Sequence, residues 1–207
     1  MKLEWLRSKG SRVISLLFFG AIAFSCSTSS YINIRYKMPA EINQVQGKKV
    51  FIIYKDMRPY SEIFGRLGKQ EFKYFTGTFS LSLVERNQSE FLAGAFQLPA
   101  LFTEAIKRRL EKMQAQILPN ETEREPVLEI ILREFMLDLR GRQWMASMAY
   151  EARLMLNQKV LSSESISGKA ETMKIIGRSD GEKVLGELFT DLINKLDLYK
   201  LFQSAKF

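Results

Sequence analysis

VLEIILREFMLDL, Val127–Leu139, followed by Arg140-Gly141-Arg142 and then QWMASMAYEARLML, Gln143–Leu156, decides the fold class. In the first run Leu128, Ile130 and Leu132 share one parity, whereas Phe135, Leu137 and Leu139 share the other. A strand places alternate side chains on opposite faces, so the apolar set changes parity only if a residue is inserted; a β-bulge near Arg133 or Glu134 does this. Arg140-Gly141-Arg142 is short enough for a hairpin turn. The return run alternates Trp144, Ala146, Met148, Tyr150, Ala152 and Leu154 against Gln143, Ser147, Glu151 and Arg153, the pattern of a half-buried strand. Asn157-Gln158 permits a second turn into the serine-rich Val160–Ala170, read as a polar sheet edge. The result is a three-stranded C-terminal meander.

Two amphipathic helices flank it. Within Gln97–Gln114, Leu98, Leu101, Phe102, Ala105, Ile106, Leu110 and Met113 fall three and four apart. Glu104, Lys107, Arg108, Glu111 and Lys112 occupy the other side, where Lys107 and Glu111 are spaced to pair. Ser179-Asp180-Gly181-Glu182 has the form of a capping box ahead of Val184, Leu185, Leu188, Phe189, Leu192, Ile193 and Leu196. Further upstream, KVFIIYKD (Lys49–Asp56) and the alternating Phe79, Leu81 and Leu83 read as strands. The expected fold is α+β: a mainly antiparallel sheet packed by two helices.

The first 25 residues are of another kind. Lys2, Arg7, Lys9 and Arg12 precede an apolar run, Val13–Phe24, too short for the roughly 20 residues that span a bilayer, which marks residues 1–25 as an export signal. Cys26 is the only cysteine of the 207 residues. With Ser25 before it, the junction resembles a lipobox, whose cysteine receives a thioether-linked diacylglycerol, although Phe24 and Ala23 depart from the usual residues. Ala21-Ile22-Ala23 offers an alternative cleavage that leaves a free thiol. Lipidation at Cys26 is the reading adopted, because a single cysteine in an exported chain has no partner for a disulfide. Residues 26–46 then form a lipid-anchored tether and approach segment, with Ile32, Ile34 and Tyr36 alternating, and 47–207 a single domain. Ser27, where inner-membrane retention uses an aspartate, points to the outer membrane, facing the periplasm.

Composition limits the chemistry. The chain contains no histidine, which removes histidine bases, triads and metal ligands, and Cys26 is committed to the anchor. No metal site and no cofactor other than the covalent lipid is expected. Removing residues 1–25 lowers the net charge from +8 to +5, a basic balance that in an exported chain suits anionic lipid rather than nucleic acid, or equally a well-solvated surface with no partner. Asp138 and Glu151, across the hairpin, are the pair of carboxylates to test for acid–base work; a pair of surface carboxylates is the plainer reading. Gly65-Arg66-Leu67-Gly68 lacks the Gly-Lys-Ser/Thr ending of a phosphate cradle. No catalytic motif is legible.

The long segment Met57–Thr78 is the candidate binding element. Arg58, Tyr60, Phe64, Arg66, Phe72, Lys73, Tyr74 and Phe75 mix aromatic and basic side chains, as an acyl chain with an anionic head or a protein interface would require. The same rings would equally serve by folding back onto the core. Asp56 and Gly65 read as structural, Asp56 tying down the loop.

The strand KKVFIIYK followed by DMRPYSEIFG (Asp56–Gly65), with the later meander and helix, resembles the YajG-like lipoproteins and, more loosely, the auxiliary lipoproteins of ABC transport systems. The resemblance implies a non-enzymatic, membrane-anchored envelope lipoprotein of α+β fold that acts as a binding or adaptor component beside transport or assembly machinery, with an envelope protein as partner. The alternative is a carrier that holds an acyl chain or anionic lipid.

Overall fold

The computed structural model describes residues 30–40, 45–85, 87 and 89–206; the export signal, Cys26 and part of the tether lie outside the described residues. In chain order the elements are β1 (Ile32–Lys37), β2 (Lys49–Asp56), α1 (Arg66–Glu71), β3 (Thr78–Val84), β4 (Glu90–Gln97), α2 (Leu98–Lys112), β5 (Gln116–Ile117), β6 (Val127–Arg140), β7 (Gln143–Leu156), β8 (Lys159–Met173), α3 (Arg178–Lys195) and α4 (Leu198–Ser204).

The fold is α+β, and the strands form two sheets of mixed orientation. The larger has the order β5-β2-β6-β7-β8, with β5, β2 and β6 parallel and the β6–β7–β8 meander antiparallel. The bulge sits where the parity slips: Leu132 pairs with Tyr150 and Glu134 with Ala149, leaving Arg133 unpaired between them. Asn157 and Gln158 both adopt positive φ, 49° and 63°, the backbone of a tight hairpin turn. As expected, β8 lies at the edge of the sheet. The smaller sheet, β1-β3-β4, pairs β1 parallel to β3 and β3 antiparallel to β4. Ile32, Ile34 and Tyr36 of β1 are fully buried, so the stretch read as an approach to the domain is its first strand.

Both long helices pack on the face of the larger sheet that carries Trp144, Met148 and Tyr150. Every apolar position of the expected stripe on α2 is buried, and Phe102 makes tilted or edge contacts with Tyr54, Phe135, Tyr150 and Phe189, with ring centroids 5.3 to 6.1 Å apart. Phe79 of β3 meets Phe135 of β6 at 5.8 Å, so the two sheets share one core. Gly181 lets α3 approach closely: a Cβ there would lie 2.9 Å from Cδ2 of Trp144.

The capping box does not form as expected. Ser179 lies inside the helix, which starts at Arg178 after Gly177. The Arg178 guanidinium donates to Glu182 at 2.8 Å, an i,i+4 pairing within the helix, and Glu182 also accepts from the Asn33 amide at 3.3 Å, so its carboxylate is engaged elsewhere than at Ser179. Asp180 instead reaches back, accepting from the backbone N–H groups of Ile175 and Ile176 at 2.7 and 2.6 Å.

The far end of α3 holds a polar cluster. Arg109, on the otherwise apolar face of α2, is buried; its guanidinium donates to the carbonyls of Ile193 and Leu196, the latter at 3.0 Å. Tyr150 donates its hydroxyl to the Leu192 carbonyl at 2.9 Å, and Tyr36 donates to Asn194 at 2.8 Å. Arg109 and Tyr150 thus satisfy three of the last backbone carbonyls of the helix with a cation and a hydroxyl, while Tyr36 holds the Asn194 side-chain oxygen beside them. Burial pushes both tyrosine hydroxyls well above their usual range, so they stay protonated donors.

Candidate functional site

β2 ends at Asp56, but its line along β6 resumes after an excursion. The Leu137 N–H donates to the Ile63 carbonyl at 2.8 Å, the Gly65 N–H donates to the Leu137 carbonyl at 3.1 Å, and Phe64 forms an isolated parallel bridge to Leu137. Between these points residues 57–62 swing outward. Asp56 fixes the departure by accepting from the Arg58 backbone and from its guanidinium at 2.7 to 3.2 Å. The Arg58 hydrogen bond holds the Asp56 carboxyl below the usual carboxylate range against some opposing desolvation. At the return, Gly65 lies flat on Asp138: a Cβ there would sit 2.0 Å from the Asp138 Cγ. The Asp138 carboxylate accepts from Gly68 N–H at 3.4 Å and from its neighbour Leu139 at 2.8 Å. Only a residue without a side chain fits this contact, which is why the segment reads IFGRLG.

The eight candidate side chains of this segment do not form one surface. Phe64 and Phe72 are buried and stack at 4.8 Å; Phe72 meets Trp144 edge-on at 5.6 Å, and Phe75 bridges Phe64 to Phe79 at 5.2 and 5.3 Å. Arg58 is tied to Asp56, with little of its side chain exposed. Tyr60, 75% exposed, stands on the excursion, and Arg66 is exposed on α1. Lys73 and Tyr74 are exposed together, the ammonium 4.7 Å from the ring centroid.

Asp138 and Glu151 are also apart. They face Met145 and Ile131 respectively, six residues apart along β7, or about 20 Å at the rise of a strand. Glu151 belongs to a ladder of charges on the helix-free side of the larger sheet. Arg153 donates to it at 2.6 and 2.9 Å, and Arg133, the bulge residue, donates at 3.4 Å. Buried Glu129 pairs with Lys55 and, at 3.9 Å, with Arg153. The Arg153 hydrogen bond leads in holding the Glu151 carboxyl below its usual range. Serines 147, 165 and 167 and Ala149 continue this face with small side chains. At its turn end lies a depression of about 660 Å³ whose lining includes Ile53, Lys55, Glu129 and Met155.

A third place emerges only from the fold. The Ser30 carbonyl accepts from the Thr76 N–H at 3.0 Å, and the Tyr31 carbonyl accepts from Arg178 at 2.6 Å. The Lys174 N–H donates to Arg142 of the hairpin turn at 2.8 Å, while its ammonium pairs with Glu71 of α1 at 2.6 Å. The start of β1, the β6–β7 turn, α1 and the start of α3 therefore meet at one end of the molecule. Ile175 and Ile176 protrude there, 83% and 78% exposed. Nothing in the local sequence marks them as a surface feature, since their exposure depends on the turn that Asp180 holds. Among the described residues, no helix is long and apolar enough to cross a membrane.

No protein-family model matches the sequence, and no curated protein matches it. Solved structures do match. A DUF330-family protein from Xanthomonas campestris superposes with a TM-score of 0.52 at 12% identity, over 85% of this chain and 96% of that one. A minor lipoprotein from Acinetobacter baumannii gives 0.41 at 9% identity, covering 77% and 92%, and rare lipoprotein B from Shewanella oneidensis gives 0.37 at 12%, covering 75% and 93%. The first likeness is one of fold; the other two are looser still.

Proposed function

We propose that this chain is a lipid-anchored protein of the bacterial envelope that works by binding, as an adaptor for a transport or assembly complex, with Cys26 as the acylated residue and the outer membrane as its site. The observation that carries the reading is the position of the first strand. Chain order puts Ser30, hydrogen-bonded to Thr76, only four residues beyond Cys26. An acylated Cys26 leaves no long linker, and the domain is held at the bilayer surface with its far end presented to other proteins.

Binding is favoured over catalysis by the state of the charged groups. General acid–base chemistry uses carboxyls raised toward neutrality, whereas Asp56 and Glu151 are pulled down by arginines and spent in ion pairs. An adaptor is favoured over a lipid carrier by the interior. The space between α2, α3 and the larger sheet is filled by Phe102 and the rings around it, and an acyl chain there would have to displace them. The helix-free face of the larger sheet, with its small side chains and ordered charges, is the surface offered to a partner.

The test compares the full-length chain with Ser147→Arg and Ala149→Arg variants, isolated from detergent-solubilised envelopes. An adaptor loses its co-purifying envelope proteins in these variants and keeps them in the helix-face variant Lys107→Ala. Partners retained in all three remove this face from the account. A stoichiometric lipid found by mass spectrometry in addition to the covalent anchor turns the reading to the carrier.

A further inference from the structure

The geometry points to a second membrane contact: the Ile175–Ile176 turn is a wedge that seats this end of the domain in the bilayer interface, with Lys73, Tyr74 and Arg142 facing the anionic lipid headgroups. The inference rests on the lipid anchor at Cys26 and goes beyond it by assigning an orientation and a surface.

Three observations meet at this turn. First, the two isoleucines are held outward by construction. One carboxylate oxygen of Asp180, in the first turn of α3, accepts from both their N–H groups at 2.7 and 2.6 Å, and Trp144 donates its indole N–H to the Gly177 carbonyl at 2.9 Å just beyond. A turn pinned at both sides that still exposes two large aliphatic side chains differs from an isolated surface leucine; contiguous exposed apolar groups mark contact surfaces.

Second, the turn lies where the chain leaves toward its anchor. Ser30 is four positions beyond Cys26, a reach of at most about 14 Å. Ser30 and Tyr31 are bonded to Thr76 and Arg178, which flank Tyr74 and Ile176 in the chain. A thioether in the headgroup region therefore keeps this end of the domain within reach of the membrane.

Third, the charges suit the surface. Most carboxylates at this end are occupied: Glu71 by Lys174, Asp138 by backbone amides and, at 3.9 Å, by Arg140, Asp180 by the turn and Glu182 by Arg178, while Glu171 of β8 is exposed and is outnumbered by the exposed Lys73, Arg140 and Arg142. Lys73 and Arg142 are exposed, and the Tyr74 ring under Lys73 supplies the amphipathic group that favours a membrane interface.

The experiment places a label at each end of β8 in the full-length chain. Val160→Cys lies at the opposite end of the strand, about 45 Å from Met173 at the rise of a strand. Ile176→Cys lies on the wedge. Each variant is labelled with an environment-sensitive fluorophore and reconstituted into phosphatidylethanolamine–phosphatidylglycerol vesicles that contain brominated acyl chains, beside unsubstituted protein as a thiol control. The expected result is no label on the unsubstituted protein, and lipid-borne quenching at 176 at least about threefold stronger than at 160. Equal quenching at the two sites overturns the wedge and leaves the anchor standing. A label at 176 shielded from water but untouched by bromolipid overturns it too, assigning the turn to a protein contact. Labelling of the unsubstituted protein shows a free Cys26 thiol and removes the anchor together with the orientation built on it.

Discussion

Arg109→Met should cost about 3–4 kcal/mol of unfolding free energy, although it exchanges a charged residue for an apolar one of similar length in the core. The guanidinium is bonded to backbone carbonyls of Ile193 and Leu196, which no substitution removes. Each loses a charge-assisted hydrogen bond of about 1.5–3 kcal/mol, and the C-terminal end of α3 loses a favourable cation worth up to about 2 kcal/mol when partly buried. Burying the methionine methylenes, and removing the buried Nε of Arg109 that has no hydrogen-bond partner, returns part of this. In a domain of this size the remainder corresponds to a fall in Tm of roughly 10 °C. Urea titration in detergent, read by tryptophan fluorescence, measures it cleanly, because the chain has only Trp5, in the export signal, and Trp144, in the core. The control is Arg108→Met. Arg108 pairs at the surface with Glu104 at 2.6 Å, so its loss should cost under about 1 kcal/mol. Equal midpoints for the two variants would refute the helix-end role given to Arg109.

Gly65→Ala should destabilise by about 2–3 kcal/mol through its clash with Asp138, and in the Asp138→Ala background most of that cost should vanish; a double-mutant cycle that is additive within about 0.5 kcal/mol contradicts the contact. Phe64→Ala should cost about 3–5 kcal/mol while Tyr60→Ala changes stability by less than about 0.5 kcal/mol, and similar losses by urea titration would return Phe64 to the surface. Asp56 and Glu151 titrate lower in the folded chain than in the unfolded one, so their contribution is present above about pH 4–5 and is lost as pH falls through the folded values. Asp56→Asn with Glu151→Gln should therefore flatten the acid limb of a stability–pH curve and leave its slope above pH 6 unchanged.

The elements with a clean period were legible in the sequence. The slip of parity at Arg133 follows from side-chain alternation, the turns at Gly141 and Asn157 from the short polar breaks between alternating runs, and the stripe on α2 from apolar residues three and four apart. What stayed hidden depends on distant partners. β4 was missed because Phe91 and Leu92 face solvent and Gly94 interrupts it, leaving no alternation to read. Nothing local marks β1 as a strand parallel to β3, since its register is set by residues more than forty positions away. The candidate loop was half legible: its aromatic content was plain, but whether Phe64, Phe72 and Phe75 turned in was decided by Trp144 and Phe79, and by the room that Gly65 leaves over Asp138. Arg109 looked like one more basic residue of α2 until the end of α3 came to rest on it.

The account turns on covalent lipid at Cys26. Cells that make the full-length chain or its Cys26→Ser variant should be grown with radiolabelled palmitate, fractionated and compared. The account predicts a labelled wild-type band that sediments with membranes, and a variant that is unlabelled and largely released from them; a wild-type protein that takes up no palmitate and distributes as the variant does contradicts it.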